Sequence, residues 1–480
     1  MAILSYEFAL FFTLFFVIYW SCYKHPNIQN ILLLIAGICF LLTWQWLFVA
    51  SVLFVWVVLQ ICTFGFVKVQ SSGQRKAVLV LGLVALVAHL CFFKYSNFVI
   101  EQLNQSVLDK SHNLTPLDII MPLGISFYTF QAISYLVDVY QQKMKPMPST
   151  ILLGFLSFFP TITAGPIFRA SEAQHQWLLT SEAPESDNKA APKRRYVLMP
   201  YIAMALIIIA LFKKIVLASW LETLWVTPVF ANPLQFHGIE VLTAIYAYSL
   251  QLFFDFSGYT DLVLAIALLL GFKLPENFNR PYLATDIQDF WKKWHMTLST
   301  WIRDYLYIPL GGSRRSYWRV QFNLMAAFII SGVWHGAGWN FFIWGAIHGI
   351  ALVFLNLLKR FNMRFWLTNN AKPVAIFITF HYVAFGWVFF HSVTFNQAMQ
   401  MLQALGNFSG VTLTLSVVPT LSLMLFAWLV YPYLGQAREK IAHLLSSIPW
   451  WVLPIPIALY VVLMFSLAPE GLPGFIYANF

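Results

Sequence analysis

Apolar residues in this chain come in blocks rather than in alternation, with runs of about 18 or more recurring along nearly the whole length and short polar segments between them. The blocks near residues 7–23, 29–44, 46–67, 77–97, 117–139, 150–168, 196–220, 239–271, 318–334, 340–358, 373–391, 413–432 and 450–468 predict thirteen candidate membrane helices. Several are short or broken. The sixth contains Pro160, Gly165 and Pro166, and the ninth is followed at once by Gly336 and Gly338. Irregular backbone at membrane depth survives only where protein or a water-filled cavity surrounds it, so these breaks predict re-entrant elements and leave about eleven true crossings. The expected fold is an all-α integral membrane bundle, with residues 1–480 as a single polytopic domain.

Composition strengthens this picture. Hydrophobic residues make up 60% of the chain and charged residues 10%, against roughly 25% charged in a soluble domain. The net charge of +10 does not point to nucleic acid, because the basic residues lie between apolar runs as the positive-inside bias requires. Cys22, Cys39, Cys62 and Cys91 form no CxxC pair and have no histidine at metal-ligand spacing, so they read as packing residues. The apolar stretch after Glu7 lacks a basic leader and a small-residue cleavage site, so no cleavable signal peptide is expected.

Basic residues set the expected orientation. Lys24, Lys68, Arg75, Lys76, Lys143, Lys145, residues 193–195, residues 273–319, Lys359, Arg360, Arg438 and Lys440 are expected to face the cytoplasm. Residues 101–115 and 396–410, poor in positive charge, are expected on the other side, together with the N-terminus. The long polar stretch 169–195 reads as a flexible cytoplasmic loop.

Three segments could carry chemistry. Over residues 285–307, Ile287, Phe290, Trp291, Trp294, Leu298, Trp301, Ile302 and Tyr305 recur at helical spacing opposite Asp289, Lys292, Lys293 and Arg303, which predicts an amphipathic interfacial helix bordered by His295. In residues 331–349, His335 sits between apolar stretches beside two glycines that would allow close approach of a chain or substrate. An ionisable group at that depth needs a partner or a task, and a buried neutral imidazole is suited to general-base work. His348 reads as structural. Asp255 and Asp261 interrupt an apolar span and could bind an ion or hold helices together, with the structural role favoured; Asp138 and Arg169 are treated alike. No GxSxG, Walker A, HExxH or GxGxxG pattern is present.

Taken together, PLGISFYTF (122–130) with Tyr135 and Asp138, Phe159-Pro160 with AGPI (164–167), Phe212-Lys213-Lys214, FDFSGY (254–259), ENFN (276–279) with Pro281-Tyr282, FWKKWH (290–295) with RDYLYIPLGG (303–312), and Trp334-His335-Gly336 with Trp344-Gly345 and His348-Gly349 resemble the membrane-bound O-acyltransferase family. The likeness is to its bacterial branch and is specific over residues 115–350, the expected catalytic core. It implies a bundle with re-entrant and interfacial helices around a tunnel. His335 would be the tunnel histidine, and His295 would fill a second active-site position held in the family by Asn, Asp or His.

The resemblance further implies an acyl-CoA-dependent O-acetyltransferase of the bacterial inner membrane. Acetyl-CoA would be the donor, no cofactor would be permanently bound, and a periplasmic acetyltransferase partner would complete O-acetylation of a cell-envelope polysaccharide. Peptidoglycan is favoured over alginate, with D-alanyl transfer to teichoic acid as a third possibility. His335 would activate the accepting hydroxyl, and His295 would orient or polarise the acyl carbonyl. Trp334, Gly336, Asn279, Asp255, Trp291 and Arg303 would line the tunnel, while Lys292, Lys293, Arg314 and Arg315 would meet the phosphates of coenzyme A; no metal site is expected. The rival from another class is a proton-coupled transporter using Asp255, His295 and His335, against which the lack of internal repeats counts.

Overall fold

Long apolar blocks fold as helices because lipid offers the backbone no hydrogen-bond partner. The computed structural model describes residues 1–106, 113–179, 194–363, 368, 370–407, 418, 422–423, 426 and 429–469, and among the described residues there is no strand. The candidate span 413–432 lies largely outside them, as do residues 107–112 and 408–410 of the two stretches expected opposite the cytoplasm. Among the described residues, six helices are long and apolar enough to cross a membrane, and three shorter apolar ones accompany them. Many apolar side chains point outward, among them Ile61, Leu81, Phe377 and Ile378, a surface suited to lipid rather than water.

The single domain expected is organised as two compact units. The first comprises Met1–Met199 and Ile266–Pro275. Its helices are α1 (Tyr6–Ser21), α2 (Pro26–Leu42), α3 (Trp46–Lys68), α4 (Ser72–Ser106), α5 (Ile125–Tyr140), α6 (Ser149–Leu156) and α7 (Ala170–Leu178). Ser5 caps α1 by accepting the Phe8 N–H at 3.2 Å. Ser51 Oγ meets Tyr128 Oη at 2.6 Å and His89 Nε2 at 3.1 Å, a polar clasp joining α3, α4 and α5. The sixth block does break as its prolines predict: α6 stops after eight residues and the chain turns through 157–164 before α7.

Stretch 169–195 departs from the expected loop. Its first part is α7, and residues 180–193 lie outside the described residues. Arg195, assigned from sequence to a basic solvent loop, is buried. Its guanidinium donates to Asn30 Oδ1 and to the carbonyls of Gln176 and Trp177, and stands 4.7 Å from the Phe272 ring centroid. It thereby serves carbonyls that the end of α7 leaves without helical partners.

The second unit comprises Pro200–Ala265 and Glu276–Phe480. It contains α8 (Pro200–Ala231), α9 (Gly238–Leu269, except its last turn), α10 (Ile287–Trp291), α11 (Met296–Ile302), α12 (Tyr317–His335), α13 (Trp339–Arg360), α14 (Lys372–His391), α15 (Phe395–Leu405), α16 (Ala437–Ser446) and α17 (Pro454–Ser466). α9 is the most deeply buried of the long apolar helices. α8 widens into π-helical turns at Phe212–Ala218 and Glu222–Val226. There Lys213 pairs with Asp261 at 2.7 Å and Lys214 pairs with Asp255.

α12 and α13 form a hairpin whose backbones touch. A Cβ on Gly332 would stand 2.3 Å from the Phe341 carbonyl oxygen, and one on Gly345 would stand 2.4 Å from that of Phe328. Small residues permit this approach, which carries van der Waals contact where lipid supplies no hydrophobic drive.

Candidate active site

The amphipathic helix expected over 285–307 is not continuous. α10 ends at Trp291 and α11 begins at Met296, with His295 between them in the left-handed region at φ 41°. Tertiary hydrogen bonds cause the break: Asn279 N donates to the Lys293 carbonyl at 2.9 Å, and Met296 N to the Asn277 carbonyl at 2.9 Å. The apolar stripe holds nonetheless. Ile287, Phe290, Trp291, Trp294, Leu298 and Trp301 are all buried, so the element enters the protein instead of lying along its surface.

His295 is fully buried. Its Nδ1 lies 3.3 Å from Asn277 Oδ1, which also accepts the Thr297 N–H at 3.3 Å and the Thr297 hydroxyl at 2.6 Å. A backbone N–H can only donate, which identifies the amide atom as oxygen and makes His295 Nδ1 the protonated nitrogen. Nε2 is left as a lone-pair acceptor with no partner among the described residues, and the imidazole meets the ring of Phe256 edge to face at 4.9 Å between centroids. Desolvation pushes the His295 pKa down to about 3, so the ring is neutral near pH 7.

His335 is the last residue of α12 and is buried. Its ring lies 4.8 Å from that of Trp334, 5.0 Å from Trp344 and 5.2 Å from Phe390. The turn that follows is held from α14, since Asn340 Nδ2 donates to the carbonyls of Phe389 and Ser392, at the end where α14 leaves carbonyls unpaired. Gly336 allows the close approach expected of it, here by the chain itself: a Cβ there would fall 2.1 Å from the Phe341 ring.

A run of indoles joins the two histidines. Trp294, next to His295, lies 5.0 Å from Trp387, which stacks on Trp344 at 5.9 Å, which meets His335 at 5.0 Å. Trp291 belongs to the same cluster, 5.7 Å from Trp344.

Other expected site residues fall elsewhere. Asp255 is buried in an ion pair with Lys214, which ties α9 to α8 as the favoured structural role requires. Asn279 is exposed and lines a polar cavity of about 180 Å³ with Lys213, Asp261, Asn277, Arg280 and Arg438. Arg303 is exposed and pairs with Asp304 at 2.6 Å. Lys293 pairs with Asp289 at 2.7 Å, whereas Lys292, Arg314 and Arg315 are exposed. Asp138 faces Lys143 at 3.7 Å, and Arg169 faces Glu172 at 4.0 Å.

Asn277, Trp387 and Phe390 went unrecognised in the sequence. Asn277 stood inside the quoted ENFN motif without a role. The other two lie beyond residue 350, in a span where FGWVFFH (385–391) mixes aromatics with a glycine and a histidine.

Comparison with known proteins agrees with this architecture. The model of the membrane-bound O-acyltransferase family matches residues 38–400. The chain is 37% identical over 423 residues to a peptidoglycan O-acetyltransferase of Helicobacter pylori, covering 81% of this chain and 76% of that one. It is 35% identical over 389 residues to a probable alginate O-acetylase of Pseudomonas aeruginosa, covering 79% and 70%. With a teichoic acid D-alanyltransferase of Bacillus subtilis it shares 32% identity over 299 residues, covering 58% and 71%.

Proposed function

The chain belongs to the membrane-bound O-acyltransferase family, and on that footing we propose that it takes acetyl groups from cytoplasmic acetyl-CoA and passes them across the inner membrane to O-acetylate a cell-envelope polysaccharide. Peptidoglycan is the favoured acceptor because the relative at 37% identity carries that activity in its name. Alginate and teichoic acid are the alternatives that other relatives name. A periplasmic acetyltransferase would complete the transfer to the sugar.

The observation that carries this reading is the pair of buried histidines at opposite ends of one aromatic run. Arg314, Arg315 and Arg319 flank the start of α12, and Lys359 and Arg360 close α13, so the positive-inside bias turns that end of the hairpin to the cytoplasm. His335, nineteen helical residues along, is then roughly 28 Å away along the axis, close to one hydrocarbon thickness. An acceptor hydroxyl arriving from outside would meet it there.

His335 takes the proton as that hydroxyl oxygen adds to the acyl carbon. The C–S bond breaks, and the His335 imidazolium returns its proton to the departing thiolate. His295 Nε2, a lone-pair acceptor, cannot polarise a carbonyl by donating to it. Its fitting part is to accept from an N–H of the donor and so orient it, while aromatic walls keep water from the thioester.

Release of free coenzyme A from acetyl-CoA by the purified full chain tests the proposal. His335→Ala should abolish release while thermal unfolding stays cooperative. Wild-type turnover in that variant would remove His335 from its role, and no turnover in the wild type would favour the transporter. Mass analysis of cell-wall sugars with and without the protein distinguishes the acceptors.

A further inference from the structure

His348 is the most conspicuous buried group that the mechanism leaves unused. It is wholly buried on α13, four residues after Trp344, and both of its ring nitrogens lack a hydrogen-bond partner among the described residues. The indole nitrogens of Trp291, Trp344 and Trp387 are buried and unpartnered as well. All three rings stand around His348, with centroids 5.1, 4.8 and 6.2 Å away. Native cores leave few polar groups in this state, because each forfeits its bonds to water without replacement. Five such atoms in one cluster are a feature to be explained.

Their chemistry specifies what would satisfy them. A neutral imidazole offers one N–H and one lone pair, and an indole offers a donor only. Together the cluster presents four N–H groups against one acceptor, which suits oxygen atoms and repels a cation. The apolar rings around His348 suit a small apolar group attached to such an oxygen. Trp344 lies between the two imidazoles, 4.8 Å from His348 and 5.0 Å from His335. Gly386 lets the α14 backbone approach the imidazole closely, since a Cβ there would stand 3.1 Å from His348 Nε2.

We propose that His348 and the indoles of Trp291, Trp344 and Trp387 form an oxygen-binding seam along the route between His295 and His335, in which His348 is a positioning residue for the acyl group in transit. The oxygen is the acyl carbonyl during transfer or ordered water at rest. The catalytic part of this proposal rests on the acyl-transfer reading, whereas the seam itself does not.

Two replacements separate the role from mere packing. His348→Phe keeps an aromatic ring of similar size and deletes both unpaired nitrogens, while His348→Gln keeps a donor and an acceptor. His348→Phe should unfold at or above the wild-type temperature, because a buried polar group without a protein partner has been removed. Its kcat for coenzyme A release should fall by about tenfold or more with KM for acetyl-CoA little changed, and His348→Gln should recover at least roughly threefold of that loss. Wild-type kcat in His348→Phe, or no recovery in His348→Gln, overturns the positioning role. A lowered unfolding temperature in both variants does the same and returns His348 to packing. Failure of the wild type itself to release coenzyme A would remove the acetyl-CoA reading and the positioning role with it, and would leave the seam to its own test. The seam is decided separately by an experimental map of the full chain: an ordered oxygen in hydrogen-bonding reach of a His348 nitrogen upholds it, and dry aromatic packing overturns it.

Discussion

At the scale of single residues, the site depends on how its imidazoles are held. Asn277 fixes which nitrogen of His295 carries the proton, so Asn277→Ala should leave the ring free to rotate and cut kcat by on the order of tenfold to a hundredfold. Steady-state coenzyme A release measures this. The depressed pKa of His295 also makes stability depend on pH. Between its unfolded value of 6.5 and its folded value of about 3 the unfolded chain binds the extra proton, so stability falls as pH drops through that window. Unfolding temperatures recorded from pH 7 to 4.5 should fall less steeply in His295→Asn than in the wild type. Sequence reading singled out both histidines from their surroundings, drew their roles from the family motifs, and missed Asn277, because hydropathy says nothing about which amide meets which ring across 18 positions.

Among elements, the apolar periodicity of residues 285–307 named the correct buried face and the wrong continuity. Helical spacing survives a short break, whereas the hydrogen bonds that force the break come from residues 277 and 279, outside the repeat. Likewise the intramembrane acids were legible as groups needing partners, but their partners sit on a π-widened helix whose register no sequence period reveals. Lys214→Met would strand the buried Asp255 charge and should cost about 3–5 kcal/mol, and adding Asp255→Leu should restore much of it. Thermal unfolding of the single and double variants checks both steps. Survival of the single variant at the wild-type temperature would show that the pair holds nothing together.

For the molecule as a whole, blocks of hydrophobicity were sufficient to predict a polytopic α-helical protein, because a lipid solvent leaves the backbone so few choices. Division into two units was not legible, since it depends on which helices pack together. The proposed orientation turns the Gly336–Gly338 turn outward and the basic start of α12 inward. Ala337→Cys should therefore react with a membrane-impermeant maleimide in intact cells once Cys22, Cys39, Cys62 and Cys91 have been replaced, and Ser316→Cys only after permeabilisation. The reverse pattern would invert the topology and with it the assignment of His335 to the acceptor side.

The backbone at His295 imposes a filter of its own. Side chains other than glycine tolerate a φ of 41° poorly, with Asn, Asp and His the most tolerant and β-branched residues the least. Those are the three types that the family resemblance implies at this position, so such a narrow alphabet would reflect conformational permission as well as reactivity. Saturation mutagenesis scored separately for expression and for turnover should separate the two demands: glycine passing the first and failing the second, valine failing both.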